Sequence, residues 1–359
     1  MRNTYGKLLK ITLFGESHGS HIGAVIDGLL PGTAVSEESI AKKLSLRRPV
    51  GDISTPRSEK DEFKIVSGVY EGKTTGSPLT ILIPNLDTRS KDYSKARYIP
   101  RPAHADYTAF IKYDGNEDHR GGGHFSGRIT AALVAAGAIV SDALSEMGIK
   151  IGTHIKTLHG VCDREFCNIN DDIDSLNDLL FAVLDEKASE EMKKEIRLAA
   201  ENLDSVGGVL ETAVSGIPVG LGEPWFDTVE SELAHILFSV PAVKGVEFGD
   251  GFALSQMYGS EANDPFRMKD GKVVTETNRM GGILGGITNG MPIIFRCALK
   301  PTPTISKPQK TVDLKTGEEI EYTFTGRHDP SIVHRARAVV DAATAIAIYD
   351  LILRRKAGK

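Results

Sequence analysis

The run from Gly127 to Met147, GRITAALVAAGAIVSDALSEM, restricts the possible folds more than any other part of the sequence. It is rich in alanine, the strongest helix former, and Gly148 follows it as a typical helix end, so it predicts one long helix. Small and apolar side chains fill almost every position, whereas a surface helix has a polar face. We therefore expect this helix to be buried on most of its sides.

Short apolar segments bounded by turn residues predict strands before and after that helix. These strands lie at about 8–14, 22–27, 63–70, 79–83, 149–157, 207–216 and 292–299. Further helices are predicted after an N-terminal cap at Ser36 and at about 174–203, 228–239 and 331–354. Strands and helices mix without a regular β-α-β order, which indicates an α+β or layered α/β class. No linker divides the chain, so residues 1–359 are expected to form a single domain.

Composition and charge exclude several classes of protein. A formal net charge of −5 does not favour nucleic acid or an anionic membrane surface. Cys162, Cys167 and Cys297 cannot make a disulfide framework, and no Cys/His pairs have zinc spacing, so we expect free thiols and no metal site. We see no signal peptide and no run of about 18 apolar residues that would span a membrane. The expected location is the cytoplasm.

The segment Gly15-Glu16-Ser17-His18-Gly19 contains two candidates for chemistry. It fits G-x-S-x-G, the nucleophile elbow of serine hydrolases, which requires a strand, a sharp turn and then a helix. Here the turn is followed by GAVIDGLLPG, which predicts another strand and turn. The sequence therefore disfavours Ser17 as a nucleophile, and His18 is the better candidate for a chemical role.

Several glycine-rich or proline-stiffened segments carry cationic side chains. They are RPAHAD (101–106), HRGGGHFSGR (119–128), RMGGILGGITNG (279–290), LKPTPTI (299–305) and TGRHDP (325–330). Exposed backbone amides at a helix start bind phosphate, and arginine holds carboxylates and phosphates through forked hydrogen bonds. Each segment taken alone also fits a plain turn, an ion pair or tight packing. Together they predict an enzyme that acts on a small polyanion with a phosphorylated cofactor.

The same motifs, in this order, resemble the chorismate synthase family almost from end to end. The resemblance rests on FGESHG, RRP, GSPLTILIPN, RSKDY, RPAHADYT, RGGGHFSGRITAALVAAGA, PVGLGEPWFD, AVKGVEFGDGF, GGILGGITNGMPI, LKPTPTI and GRHDP. It implies a layered β-α-β sandwich, a homotetramer and a requirement for reduced FMN. It also implies the last step of the shikimate pathway, the anti-1,4-elimination of phosphate from 5-enolpyruvylshikimate 3-phosphate to give chorismate.

The resemblance further implies which residues bind. The arginines at substrate positions are Arg48, Arg57, Arg101, Arg128 and Arg327. The residues at FMN positions are His124, Phe125, Ser126, Ala242, Gly285, Lys300, Pro301, Thr302, Pro303, Thr304 and Arg327. A pyridine-nucleotide contact falls at Arg47, with NADPH as an indirect reductant. No part of the chain looks like a reductase, so an external flavin reductase is expected as a partner.

Catalytic roles follow from the resemblance and from the chemistry of the reaction. His18 is expected to protonate the departing phosphate, with Ser17 as its neighbour. His104 is expected to set the protonation of the reduced flavin, and Asp329 to assist removal of the proton from C6 of the substrate. The flavin passes electron density to the substrate and recovers it, so no net redox change results.

The chain departs from the usual family pattern near these sites. His124 and Phe125 stand where an arginine and a serine are usual, and Ala103 replaces a glycine. Ile53, Pro241 and Ser331 replace an arginine, an asparagine and a cysteine. The alternative to an active enzyme is therefore a catalytically weak relative that binds FMN and has mainly an assembly role.

Overall fold

The computed structural model describes residues 3–54, 60–86, 97–324 and 328–358. The substrate assignments of Arg57 and Arg327, and the flavin assignment of Arg327, lie outside the described residues. They stay predictions.

Strands and helices alternate irregularly along the chain. The strands are β1 (Thr4–Tyr5), β2 (Lys10–Gly15), β3 (His21–Asp27), β4 (Lys64–Ser67), β5 (Val69–Tyr70), β6 (Lys73–Thr74), β7 (Leu79–Pro84), β8 (Lys150–Leu158), β9 (Val161–Cys162), β10 (Gly208–Ser215), β11 (Val243–Phe248), β12 (Phe266–Lys269), β13 (Lys272–Thr275), β14 (Ile283–Leu284), β15 (Ile287–Thr288), β16 (Ile293–Leu299), β17 (Gln309–Val312) and β18 (Glu319–Tyr322). The helices are α1 (Glu37–Ser45), α2 (Asp106–Lys112), α3 (Thr130–Glu146), α4 (Ile169–Leu176), α5 (Glu186–Glu201), α6 (Val229–Leu237), α7 (Gly259–Ala262) and α8 (Val333–Ala357).

The first outer layer is an antiparallel sheet in the order β1-β2-β3-β7-β4. Its central strands present alternate residues to the core, because successive side chains of a strand point to opposite faces. In register, Ile22 lies opposite Ile83 and Ala24 opposite Ile81, and all four are buried. The alternation in sequence therefore fixes which face of this sheet is covered.

The second outer layer is an antiparallel sheet in the order β11-β16-β10-β8-β9. Its inner face is apolar, with Leu210 opposite Cys297 and Val214 opposite Ile293. The next residue along β10, Glu211, points the other way and lies opposite His154 on β8. This sheet therefore has one apolar face for the core and one face that carries charge.

The middle layer consists mainly of α3 and α8. Helix α3 contacts β2, β3 and β7 of the first sheet, α8 contacts β8 and β10 of the second, and the two helices pack on each other. A Cβ at Gly137 would lie 2.4 Å from the Cβ of Ala342, so glycine is what allows the helices to approach this closely. The burial predicted for the long helix is confirmed, and so is the layered β-α-β sandwich of the α+β class.

Two expectations from the sequence are wrong. The segment predicted as one helix over 174–203 forms two helices, α4 and α5. The backbone between them makes hydrogen bonds to β8 and to Asp163 in place of helical ones. Ile155 on β8 donates to the carbonyl of Ala182, and Leu184 donates its N–H to Asp163. The stretch Gly127–Glu146 is also long and apolar enough to cross a membrane, contrary to expectation, but most of it is buried inside the sandwich as a core helix.

Candidate active site

The turn between β2 and β3 holds Ser17 and His18 against a glycine loop. Ser17 is fully buried, its N–H donates to the carbonyl of Gly123 at 3.1 Å, and its Oγ lies 3.0 Å from Nδ1 of His18. The same Oγ lies 3.1 Å from the carbonyl oxygens of Arg120 and Gly121. The serine is thus fixed on one side by backbone and on the other by the imidazole.

These contacts determine the hydrogen-bonding direction between the two side chains. A hydroxyl has one hydrogen, and carbonyl oxygens can only accept, so Ser17 directs its hydrogen to the glycine loop. Its oxygen must then accept from His18, which places a proton on Nδ1. Ser17 acts as an orienting group for His18, and the loss of its hydrogen to the loop argues against the hydrolase interpretation of GESHG.

The glycine loop 121–123 brings further predicted residues close to His18. Its three residues have φ values of 59°, 82° and 53°, a region that glycine adopts without strain. A Cβ at Gly121 would lie 2.3 Å from Cε1 of His18, whereas one at Gly122 would lie 3.7 Å from Nη2 of Arg101. The loop therefore lies between the imidazole and the guanidinium, both of which the sequence assigned to the site.

The residues after the glycines lead into α3. Nδ1 of His124 donates to the carbonyl of Gly15 at 2.8 Å, which ties the loop to the end of β2. The ring of Phe125 is about half exposed, and the Oγ of Ser126 accepts from the backbone N–H of Arg128. His124, which stands where an arginine is usual in the family, thus anchors the loop to the backbone at the end of β2.

The RPAHAD segment forms a tight local structure beside the loop. Nε and Nη2 of Arg101 each donate to the Asp106 carboxylate at 2.8 Å, a bidentate pair. Ala103 has a φ of 57°, which disfavours any residue with a Cβ. The local ion pair, weighed from the sequence as an alternative, is therefore present, and it orients an arginine that lies at the site.

His104 connects this segment to the predicted flavin segment. Its Nε2 lies 3.0 Å from Oγ1 of Thr304, and the ammonium of Lys300 donates to the carbonyl of Ala103 at 2.8 Å. Burial and, to a lesser extent, the nearby Arg101 charge lower the pKa of His104, Asp106 opposes the change, and the resulting pKa is about 4. His104 is therefore a neutral imidazole at neutral pH.

The other residues that the sequence assigned to the flavin lie in two separate parts of the structure. The N–H of Lys300 donates to the carbonyl of Ala242, and Ser205 and Gln309 donate to the carbonyls of Thr302 and Pro303. These contacts fix the segment Lys300, Pro301, Thr302, Pro303 and Thr304. Gly285 instead lies in the β14–β15 turn, next to the residue that accepts from the start of α6. Ala242 follows the other end of α6 in the chain, so the two positions lie toward opposite ends of that helix.

A second cluster contains the predicted arginines Arg47 and Arg128, both buried. Asp61 pairs with both, through Oδ2 to Nη1 of Arg47 at 2.9 Å and through Oδ1 to Nη1 of Arg128. Arg48 donates to the carbonyl of Lys60 at 2.6 Å. Burial is the main cause that lowers the pKa of Arg47, the Asp61 charge opposes it, the Arg335 and Arg128 charges add to it, and the resulting pKa is about 10. The cluster therefore brings together Arg48 and Arg128, which the sequence assigned to the substrate, and Arg47, which it assigned to a pyridine nucleotide.

Asn85 joins the two clusters. Its Nδ2 donates to the carbonyls of Glu16 and Gly19 at 2.9 Å, on either side of the Ser17–His18 pair. Its Oδ1 accepts from Nε of Arg128 at 2.9 Å. One side chain at the end of β7 therefore fixes the distance between the histidine turn and the arginine cluster.

Asp329 is attached to the far side of the arginine cluster. Its Oδ2 accepts from Nη1 of Arg335 at 2.6 Å, and Nε of Arg335 donates to the backbone carbonyl of Arg47 at 2.8 Å. The structure thus gathers Ser17, His18, Arg101 and His104 on one side of Asn85, and Arg47, Arg128 and Asp329 on the other.

Sequence reasoning missed Asn85, Asp61 and Arg335. Asn85 ends the motif GSPLTILIPN, where a strand-ending asparagine also fits a simple turn, and Asp61 lies in a run of charged residues. Their roles depend on contacts with residues distant in sequence. Within the described ranges, no group of three or more His, Cys, Asp or Glu side chains is arranged to hold a metal ion.

Comparison with known proteins identifies the family. The family model described as chorismate synthase matches residues 9–353. Proteins named chorismate synthase from Thermococcus kodakarensis and Pyrococcus abyssi are 47% and 48% identical, each over 98% of this chain and 98% of the relative. A solved structure, "Crystal Structure of Chorismate Synthase", has a TM-score of 0.75 and 30% identity, covering 98% of this chain and 93% of its own. The chain is thus an enzyme, a lyase, that belongs to the chorismate synthase family.

Proposed function

We propose that this enzyme removes phosphate from 5-enolpyruvylshikimate 3-phosphate by 1,4-elimination, with reduced FMN as cofactor, and releases chorismate. The observation that carries the proposal is the Ser17–His18 pair, oriented by a glycine loop that also borders Arg101. A proton donor and a cation next to one loop suit a substrate that loses a phosphate group.

The residues at the flavin positions suit a phosphorylated ring cofactor. Oγ1 of Thr302 is buried without a hydrogen-bond partner among the described residues, which costs free energy unless a ligand supplies one. Lys300, on the same segment, adds a positive charge. When bound, reduced FMN supplies electron density to the substrate and recovers it. His124, Phe125, Ser126, Ala242, Gly285 and Arg327 are proposed as its remaining contacts, with a pyridine-nucleotide contact at Arg47.

His18 is the proposed proton donor to the leaving phosphate. Nδ1 of His18 keeps its proton because it donates a hydrogen bond to Oγ of Ser17. The other ring nitrogen, Nε2, is therefore the one that gains and loses the transferred proton. As the bond between carbon and phosphate oxygen breaks, its electron pair stays on the oxygen, and the imidazolium neutralises the charge that develops there. The His18 side chain is partly exposed, as a proton donor to a bound substrate must be.

The other groups position charge and receive the second proton. Arg48, Arg101 and Arg128, with Arg57 and Arg327, are proposed to bind the phosphate and the two carboxylates of the substrate. Nε of Arg48 is buried without a partner in the described part of the chain, so a donor is available there. His104, held neutral, adds no charge beside Thr304, which is one of the proposed flavin contacts. Asp329, oriented by Arg335, is proposed to assist removal of the proton from C6.

The test is an anaerobic assay with chemically reduced FMN and 5-enolpyruvylshikimate 3-phosphate, in which phosphate and chorismate are both measured. Equal amounts of the two products support the proposal. Bound flavin without product would favour the alternative, a weak relative with mainly an assembly role, which is motivated by the His124 and Phe125 departures. A serine-directed phosphonate probe should leave Ser17 unlabelled, because the serine is buried and its hydrogen is committed to backbone carbonyls.

We also propose a homotetramer in the cytoplasm that receives reduced flavin from an external reductase, with NADPH as the indirect source of electrons. Several large apolar side chains of residues 252–268 are strongly exposed, among them Phe252, Tyr258, Phe266 and Met268. Such side chains fit an interface between subunits. Sedimentation analysis of the purified enzyme measures the subunit number.

A further inference from the structure

We propose that Asp61 is a positioning residue, which sets the geometry of the substrate arginine Arg128 by pairing it with Arg47. The inference rests on the proposed function, because Arg128 is assigned to the substrate there. It adds a residue that does not itself contact substrate and that is needed for tight substrate binding.

Asp61 lies between Arg47 and Arg128 and contacts both. The two carboxylate oxygens of Asp61 are divided between the arginines, Oδ2 to Nη1 of Arg47 and Oδ1 to Nη1 of Arg128. All three side chains are at least nine-tenths buried. A single carboxylate therefore sets the distance between two guanidinium groups.

Backbone carbonyls and uncharged side chains bind further nitrogens of both arginines. Arg128 donates to Asn85 and to the carbonyl of Pro84, and Arg47 donates to the carbonyl of Gly127 and the hydroxyl of Thr130. Two buried guanidinium cations that contact the same carboxylate repel each other, and Asp61 is the anion between them. Without its charge, the guanidinium groups would separate, and Arg128 would also pull on Asn85 beside the histidine turn.

The direction in which loss of the Asp61 charge changes substrate binding distinguishes a positioning role from a purely electrostatic one. If Asp61 served only to lower the positive charge of the site, then removing its charge would strengthen binding of an anionic substrate. If Asp61 positions Arg128, the same change weakens binding although the site becomes more positive. The two roles predict opposite changes of KM.

The variant of choice is Asp61→Asn. Asp61 has a φ of 52°, and asparagine is among the residues that tolerate this left-handed region, so the backbone gains little strain. The amide keeps the shape and one acceptor oxygen, but it turns an NH₂ group toward one guanidinium. We expect KM for 5-enolpyruvylshikimate 3-phosphate to rise about 10- to 100-fold, the range for loss of a charged hydrogen bond, with kcat reduced by less than about tenfold.

The matched control is Asp341→Asn, which changes an equally buried carboxylate inside the helix layer. Asp341 accepts from Nη1 of Arg337 at 3.2 Å and from Oγ1 of Thr153 at 2.6 Å. Both variants should lower the melting temperature, but Asp341→Asn should leave KM within about twofold of the wild type. Flavin affinity, measured by titration, should change by less than about threefold in both.

The outcomes separate the inference from the proposed function. An active wild type with an unchanged or lowered KM in Asp61→Asn overturns the positioning role, and so does an equal rise of KM in both variants. A wild type that forms no chorismate overturns the proposed function. In that case calorimetric titration of both proteins with 5-enolpyruvylshikimate 3-phosphate decides the inference, and equal affinities, or binding by neither protein, overturn it.

Discussion

Gly121→Ala should reduce turnover by acting directly on His18. The new Cβ would lie 2.3 Å from Cε1 and 2.4 Å from Nδ1 of the imidazole, and 2.7 Å from Oγ of Ser17. Carbon atoms in contact are about 3.5–4.0 Å apart, so the ring must move by about 1 Å or more. A misplacement of about 1 Å in a reacting group costs about 100-fold in rate, which is the decrease of kcat that we expect.

Gly122→Ala is the matched control in the same loop. Its φ of 82° also disfavours alanine, at about 1–2 kcal/mol, but its Cβ would meet Nη2 of Arg101 only at 3.7 Å, an ordinary contact. Backbone strain is thus common to both variants, and only Gly121→Ala displaces His18. Anaerobic phosphate release at saturating substrate gives kcat for each. Equal values of kcat for the two variants would refute the argument that this glycine makes room for the imidazole.

His18→Ala and His104→Ala should each slow phosphate release by roughly 10- to 10⁴-fold, and near-normal rates in both would contradict their assignment to the reaction. Burial alone would lower the pKa of His154, but hydrogen bonds to Asp163 and Glu211 outweigh it and raise that pKa. Its charge therefore stabilises the fold below pH about 6.5, and this stability is lost as pH rises through the raised value. The melting temperatures of wild type and His154→Asn should converge toward alkaline pH, and a constant difference would argue against a charged His154. Ala103→Gly should relieve the strain of a φ of 57° and stabilise the protein by about 1 kcal/mol in thermal unfolding, whereas a lower melting temperature would show that the alanine is not strained.

Local patterns predicted most of the regular structure. The hydroxyl of Ser36 does cap α1 by accepting from the N–H of Ser39, and the alternating apolar residues of β3 and β7 do face the core. The prediction of a single helix over 174–203 was wrong because residues 182–184 form hydrogen bonds with β8 and Asp163. A local sequence pattern contains no information about these contacts. Local propensity is overruled where distant backbone competes for the same hydrogen bonds.

The sequence by itself determined the family, the buried helix and the residues capable of acid–base chemistry or anion binding, because each depends on residue type and order along the chain. Only the tertiary structure decided how those residues act. It showed that Ser17 gives its hydrogen to the glycine loop and orients His18, and that burial keeps His104 neutral. It also placed Asn85 and Asp61 between groups more than forty residues apart in sequence. Hydrogen-bond direction, burial and charge pairing are properties of neighbours in space, so the order of residues alone could not supply them.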